Sequence, residues 1–161
     1  MLLYIVRHAP AGQHGDPRYP NDSLRPLTRK GKRRFGRLVR RLVGHGLAPT
    51  LVVTSPLLRC RQTAEILVAG AHDAPKLLER DELAPGEDWK DLIDWTNAQG
   101  DAEAAWVGHA PDVDRITAEL IGSVDANLLF AKGAIAAVRF TEKIAVGEGE
   151  LCWFVKPKLI E

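Results

Sequence analysis

Short apolar runs alternate with amphipathic segments along this chain. Apolar side chains fill residues 2–6, 51–53 and 104–107. Continuous runs of this length are typical of strands that are buried on both faces of a sheet. Two further runs, at residues 134–140 and 150–155, are joined by a Gly-containing segment and are predicted to form a hairpin at the end of the sheet.

The clearest helical stripe follows Thr28, a predicted N-cap, and stops at Gly44. Its apolar residues recur three and four positions apart: Phe35, Leu38, Val39, Leu42 and Val43. The same segment holds a crowd of basic residues, mostly on its outer face: Lys30, Lys32, Arg33, Arg34, Arg37, Arg40 and Arg41. Such a run is usually a solvated surface, and docking of an acidic partner is the alternative interpretation.

A second helix is predicted from Ser55-Pro56, because a hydroxyl cap followed by proline is a common helix start. This helix would place Arg59 in its first turn and end near Gly70. A short helix is expected at residues 88–98, within an acidic and less regular stretch. Another is expected after residue 111, where apolar residues again share one face.

The segment between residues 9 and 26 is rich in Gly, Pro, Asn and Asp and has no periodicity, which predicts a loop. Loops of this length in compact domains are commonly functional. We expect its polar side chains His14, Arg18 and Arg25 to lie on the surface.

Composition and net charge limit the classes of protein to which this chain can belong. The chain has 161 residues, 45% of them apolar and 27% charged, with a formal net charge of +1. These values predict one globular domain over residues 1–161, with no overall attraction to nucleic acid or membranes. Cys60 and Cys152 follow no metal-ligand spacing and are expected to be reduced thiols of a cytoplasmic protein.

Candidate chemistry collects at the ends of the predicted strands. Arg7 and His8 end the first run, Arg59 follows the second and His109 follows the third. In open α/β sheets, ligands bind beyond the carboxyl ends of the strands. Guanidinium groups match phosphate oxygens in both charge and geometry, so this set indicates a phosphoryl group as the ligand.

Four motifs, in this order, resemble the histidine phosphatase superfamily. They are Val6-Arg7-His8, Leu27-Thr28-x-x-Gly31, the segment of residues 55–65 (SPLLRCRQTAE) and Gly108-His109. Ala9 stands where that family has glycine. The small size, the turn at residues 82–86 and the C-terminal segment are similar to the SixA-type phosphohistidine phosphatases in particular.

The resemblance implies a phosphoglycerate-mutase-like fold, a three-layer α/β/α sandwich with a mostly parallel sheet. It also implies that His8 attacks phosphorus and forms a phosphohistidine intermediate, without a metal or other cofactor. Arg7, Arg59 and a protonated His109 would bind the phosphoryl oxygens and offset their charge.

The leaving group decides whether an acid is needed. An alcohol leaves with a pKa near that of water, about 16, whereas imidazole has a pKa of about 6.5 and departs more readily. Glu82 is the candidate acid, but the resemblance to SixA-type proteins implies that no clear acid stands at the usual place. A phosphohistidine-bearing protein is therefore the expected substrate. The alternatives are a hydrolase of small phosphoesters and a non-catalytic phospho-binding protein.

Overall fold

The computed structural model describes residues 1–159, which contain a single six-stranded sheet. Its strand order is β3-β2-β4-β1-β5-β6. The strands β1 to β6 are Leu2–Arg7, Leu51–Thr54, Lys76–Glu79, Glu103–Gly108, Ile135–Arg139 and Glu150–Val155. The four strands on the β3 side run parallel, and β5 and β6 complete the sheet as the predicted antiparallel hairpin.

The register brings the ends of the central strands to one edge of the sheet. Arg7 of β1 pairs with Gly108 of β4, and Thr54 of β2 pairs with Val107 of β4. The residues that follow these strands therefore emerge side by side. We call this the carboxyl edge of the sheet, formed by residues 7–9, 55–59 and 108–109.

Helices cover both faces of the sheet. Along β1, side chains alternate between the faces, so that Tyr4 and Val6 join one apolar cluster and Leu3 and Ile5 join the other. The helices α1 to α4 are Arg29–Val43, Leu58–Gly70, Asp91–Ala98 and Asp112–Leu120. The first cluster includes residues of α1 and α2, and the second includes residues of α3 and α4. The predicted three-layer α/β/α sandwich is confirmed.

The start of α1 agrees with the sequence prediction and packs closely on the segment after β1. The hydroxyl of Thr28 accepts a hydrogen bond from the N–H of Gly31 at 2.9 Å, and the N–H of Thr28 donates to the carbonyl of Pro10 at 2.9 Å. A Cβ at position 31 would lie 2.2 Å from the Pro10 oxygen, so only glycine fits there. The Thr28-x-x-Gly31 motif thus fixes the chain two residues beyond His8.

Two features differ from the prediction. Ser55 does not cap α2, which begins at Leu58 with Leu57 as its N-cap. The hydroxyl of Ser55 instead contacts a ring nitrogen of His109 and accepts from the N–H of Leu57. The edge strand β3 lies in the segment described above as acidic and irregular; all four of its residues are exposed, so it lacks an apolar run.

None of the helices within residues 1–159 has the length and apolar character needed to cross a membrane.

Candidate active site

His8 is buried at the end of β1, with 6% of its surface exposed. Its Nδ1 lies 2.8 Å from the carbonyl oxygen of Ala9. Because a carbonyl oxygen can only accept a hydrogen bond, Nδ1 carries the proton of the neutral ring. The lone pair is therefore on Nε2, which is the nitrogen available for attack on an electrophile.

The surroundings of His8 keep the ring neutral. Burial lowers the pKa of His8 to about 3, and the nearby His109, Arg59 and Arg7 act in the same direction. The hydrogen bond to Ala9 opposes this shift without cancelling it. At neutral pH the imidazole is thus unprotonated, which is the form that a nucleophile requires.

Backbone contacts from two other segments hold His8 in position. The hydroxyl of Thr63 in α2 accepts a hydrogen bond from the N–H of Ala9 at 3.0 Å. The N–H of Gly133 lies 3.2 Å from the carbonyl oxygen of Arg7 and 3.0 Å from that of His8. Gly133 has a φ of 82°, which favours glycine. The end of β1 is therefore fixed from both sides.

Arg7 and Arg59 supply two guanidinium groups to the carboxyl edge. One nitrogen of Arg7 donates to the carbonyl of Phe130 at 2.6 Å. One nitrogen of Arg59 donates to both the carbonyl and the carboxylate of Asp22, each at 3.0 Å. The Nε atoms of both arginines are buried and have no hydrogen-bond partner among residues 1–159. Buried donors of this kind are costly to leave unpaired, and a bound oxyanion would accept from them.

His109 completes the set predicted from the strand ends. Its ring centroid lies 5.4 Å from that of His8. Its Nε2 lies 3.0 Å from the hydroxyl of Ser55 and 3.3 Å from the sulfur of Cys60. Burial also raises the pKa of the Cys60 thiol to about 12, so this neighbour is uncharged.

The protonation state of His109 differs from the expectation. Burial and the nearby Arg59 lower its pKa to about 3, so the ring is neutral at neutral pH rather than protonated. An anionic phosphoryl group would favour the protonated form and raise this pKa. We therefore expect His109 to gain its positive charge only when such a group binds.

Asp22 and Arg25 belong to the same site and were missed from the sequence. Arg25, expected on the surface, is only 7% exposed. Its Nε donates to the carboxylate of Asp22 at 2.8 Å, and Arg59 and His14 contact the same carboxylate at 3.0 Å. The hydrogen bond from Arg25 is the main reason that the pKa of Asp22 lies well below its usual range. The residue that could have indicated an ordered turn from the sequence is Asn21. Its side chain accepts a hydrogen bond from the N–H of Ser23.

Glu82, the candidate acid, has a different environment. Its carboxylate forms a two-point ion pair with Arg80, and this pairing lowers the pKa of Glu82. The guanidinium of Arg80 in turn lies over the ring of Trp95, 4.8 Å from its centroid. No hydrogen bond within residues 1–159 joins Glu82 to His8 or His109. A general acid needs a raised pKa, so this arrangement disfavours that role.

Across residues 1–159, no three His, Cys, Asp or Glu side chains cluster in a way that could hold a metal ion.

Two imidazoles and two guanidiniums lie at the strand ends of an α/β/α sandwich, and Arg25 adds a third guanidinium from the preceding loop. This arrangement suits a phosphoryl group. The sequence profile of the histidine phosphatase superfamily (branch 1) matches residues 3–146, and the chain belongs to this superfamily. It is a phosphatase, and the resemblance to the SixA-type proteins is confirmed by its relatives.

Two relatives in sequence cover most of the chain. Phosphohistidine phosphatase SixA of Escherichia coli is 30% identical over 161 residues, which cover 98% of this chain and 94% of the relative. An uncharacterized protein of Picosynechococcus is 38% identical over 146 residues, or 86% of this chain and 85% of that protein.

Solved structures give the same result. The protein histidine phosphatase SixA in complex with tungstate has a TM-score of 0.86 and 27% identity, and each chain is covered completely. A phosphohistidine phosphatase SixA assigned in Nakamurella has a TM-score of 0.80 and 28% identity, covering 97% of this chain and 95% of the other.

Proposed function

We propose that this phosphatase removes phosphoryl groups from phosphohistidine residues of a protein through a covalent intermediate on His8. The observation that carries the proposal is the state of the carboxylates. The hydrogen bonds of Arg80 to Glu82 and of Arg25 to Asp22 lower the pKa of each carboxyl, so both stay ionised at neutral pH. An ionised carboxylate cannot donate a proton to the leaving group. Such a site therefore suits a substrate whose leaving group departs without a general acid.

In the first step, Nε2 of His8 attacks phosphorus and the bond between phosphorus and the substrate imidazole breaks. The substrate ring, protonated on its other nitrogen, leaves as neutral imidazole, so no proton has to be supplied as the bond breaks. Nδ1 of His8 keeps its hydrogen bond to Ala9, which favours the positive charge that develops on the ring. The phosphoryl group is then bonded to Nε2 of His8.

In the second step, water attacks phosphorus and the bond to Nε2 of His8 breaks. Inorganic phosphate leaves, and His8 returns to its neutral form. Displacement of imidazole is again the bond-breaking event, so neither step expels an alkoxide. The same surroundings therefore serve both halves of the reaction.

Arg7, Arg59 and His109 stabilise the charge on the phosphoryl oxygens. Donors fixed before the reaction are most effective when buried, and Arg59 and His109 are 5% and 4% exposed. The contacts of Ser55 and Cys60 with Nε2 of His109 hold this ring in position beside His8. Arg25 acts one step away, because it orients Asp22, which in turn orients Arg59.

The relatives support this substrate class. The Escherichia coli relative is a phosphohistidine phosphatase, and the solved SixA structure holds tungstate, an oxyanion of tetrahedral shape like phosphate. The described part of this chain supplies the nucleophile, the guanidiniums and the second imidazole for the same chemistry.

The test compares leaving groups. The kcat/KM of the full-length enzyme would be measured for three substrates. The first is a protein that phosphoramidate has phosphorylated on histidine, the second is phenyl phosphate and the third is phosphoserine. We expect phosphohistidine to exceed phosphoserine by at least about 10²-fold, the scale of an absent general acid. Equal or faster hydrolysis of phosphoserine would instead support a hydrolase of small phosphoesters. Absence of turnover with every substrate would support a phospho-binding protein.

A further inference from the structure

Lys132 lies beside the proposed nucleophile but has no part in the mechanism above. It precedes Gly133, whose N–H approaches the carbonyl oxygens of Arg7 and His8. It also lines a cavity of about 290 Å³ that borders this end of the sheet. The cavity wall includes Pro10, Phe35, Lys132, Gly133, Pro157 and Lys158.

The positive charge of Lys132 lies in an unfavourable electrostatic environment. Partial burial of its ammonium group lowers its pKa, and repulsion from Arg7, Arg25 and Arg59 adds to this effect. Within residues 1–159, no hydrogen bond or ion pair compensates the ammonium group. A cation that is repelled by its neighbours and lacks a counter-ion is stabilised when an anion binds next to it.

The three arginines differ from Lys132 in having acceptors of their own. Arg7 donates to the carbonyl of Phe130, and Arg25 and Arg59 share the carboxylate of Asp22. These contacts hold their guanidiniums in fixed positions around the phosphoryl site. Within residues 1–159, the ammonium of Lys132 has no acceptor of this kind and is available to a different anionic group of the substrate.

The cavity beside Lys132 indicates what that group is attached to. Its wall combines the apolar side chains of Phe35 and Pro157 with a second lysine, Lys158. Apolar walls beside a cation suit a short aliphatic stem that ends in a carboxylate. Such a group is the side chain of glutamate or aspartate.

We infer that Lys132 and the adjoining cavity bind an acidic side chain next to the phosphohistidine of the substrate protein. This inference deepens the proposed function and rests on it. It makes Lys132 a specificity-determining residue, which favours phosphorylated segments that carry a carboxylate close to the phosphohistidine over neutral segments.

The test uses two synthetic phosphohistidine peptides that differ only in Glu or Gln beside the phosphohistidine. For the full-length enzyme we expect kcat/KM to be about three- to fivefold higher for the Glu peptide, the scale of a partly exposed ion pair. Lys132→Gln should bring this ratio close to one, Lys132→Glu should invert it and Lys132→Arg should preserve it. Added salt should shrink the ratio in the parent enzyme.

Lys143→Gln is the matched control. This exposed lysine follows β5, whose end lies at the opposite edge of the sheet from His8. The control removes the same charge from the chain, and the Glu to Gln ratio should equal that of the parent. A reduced ratio in this variant would mean that overall charge, rather than Lys132, sets the preference, and would overturn the inference.

A second pair of substrates separates failure of this inference from failure of the proposed function. Phenyl phosphate and 3-carboxyphenyl phosphate differ by one carboxylate and need no phosphohistidine activity. If neither peptide is hydrolysed but both aryl phosphates are, the proposed function fails. Equal rates for the members of each pair in the parent enzyme would overturn the role of Lys132. A uniform loss in Lys132→Gln with weaker vanadate inhibition would also overturn it, because Lys132 would then bind the phosphoryl group itself.

Discussion

Two groups of basic side chains lie on this protein, and they differ in their surroundings more than in their chemistry. On the outer face of α1, six of the seven basic residues noted above are exposed. At and beside the carboxyl edge, Arg59 and the loop residue Arg25 are 5% and 7% exposed and are fixed by Asp22. Electrostatic interactions strengthen as water is excluded, so the smaller group has the greater effect on a bound anion.

The comparison shows that the density of charge in a sequence is a poor guide to function. The seven basic residues of α1 form an obvious charged segment of the sequence. Most of them are exposed, however, and salt screens exposed charges strongly. The guanidiniums of the carboxyl edge come from residues far apart in sequence, and the fold brings them together. Changes at the two places should therefore differ widely in effect, and the expected effects below run from the largest to the smallest.

The largest effect is expected for His8→Ala. Loss of Nε2 removes the nucleophile, so kcat should fall by at least about 10³-fold, while the fold stays intact because the strand end rather than the core changes. Acid-labile, base-stable phosphate should be trapped on the parent enzyme by rapid quench and be absent from the variant. The exposed His45, which follows α1, gives a matched control, and His45→Ala should keep the parent rate. Parent turnover without a trapped phosphoenzyme would contradict covalent catalysis.

Arg59→Ala should lower kcat/KM by about 10²- to 10³-fold, because a fixed donor to the transition state is lost. Vanadate should also inhibit this variant more weakly, and Arg59→Lys should restore only part of the loss. On α1, the exposed Arg40→Ala should change kcat/KM for phenyl phosphate by less than about twofold.

Comparable losses at these two positions would abolish the distinction between the buried and the exposed group. Unchanged vanadate affinity in Arg59→Ala would show that the strand ends do not converge on one oxyanion.

Stability should fall in mildly acidic solution because of His8 and His109. Burial lowers the pKa of each to about 3, whereas in the unfolded chain both titrate near 6.5. Below pH 6.5 the unfolded state binds protons that the folded state does not. The free energy of unfolding should therefore drop by about 1.4 kcal/mol per pH unit for each histidine, down to the folded values. Asp22 adds to this loss of stability below about pH 4, where its carboxyl is largely protonated in the unfolded chain but stays ionised in the folded protein.

Denaturant unfolding at pH 7.5, 6.0 and 5.0 would measure this slope. The variants His8→Asn and His109→Asn should each flatten it, and saturating phosphate should oppose it because the anion favours protonated His109. The same slope in parent and both variants would show that these rings are not held neutral by burial.

The smallest effect is expected for Glu82→Gln. Its ion pair with Arg80 is partly exposed, and imidazole needs little help to leave, so kcat/KM for phosphohistidine should change by less than about threefold. The outcome that contradicts this expectation is a loss of 10²- to 10⁴-fold with phosphohistidine. Such a loss would make Glu82 a general acid and promote the small-phosphoester alternative.

Much of the fold could be predicted because the central strands are buried on both faces. The strands β1, β2 and β4 appear as continuous apolar runs, and α1 as a regular stripe that starts at its N-cap Thr28. The edge strand β3 could not be predicted in this way. Its Leu77 and Leu78 are 36% and 39% exposed and are flanked by Lys76 and Glu79, so no buried face marks the sequence.

The site was predictable to the extent that its residues follow strands. Arg7 ends β1 and His8 follows it, Arg59 lies at the start of α2 just after β2, and His109 follows β4. The register brings these strand ends together at one edge of the sheet. Arg25 and Asp22 come from a loop without periodicity, so their burial depends on tertiary contacts that no local pattern reports. The pairing of Glu82 with Arg80 has the same cause, because two nearby charges in a turn can equally face solvent.

The two cysteines of the chain differ enough in reactivity for the protein to be labelled at one position without any substitution. Cys60 is fully buried beside His109 and burial raises its pKa to about 12, so little thiolate forms at neutral pH. Cys152 lies exposed on β6. A maleimide fluorophore should therefore attach to Cys152 alone in the folded protein and report binding or unfolding from a single known position, while the phosphoryl site keeps its native composition.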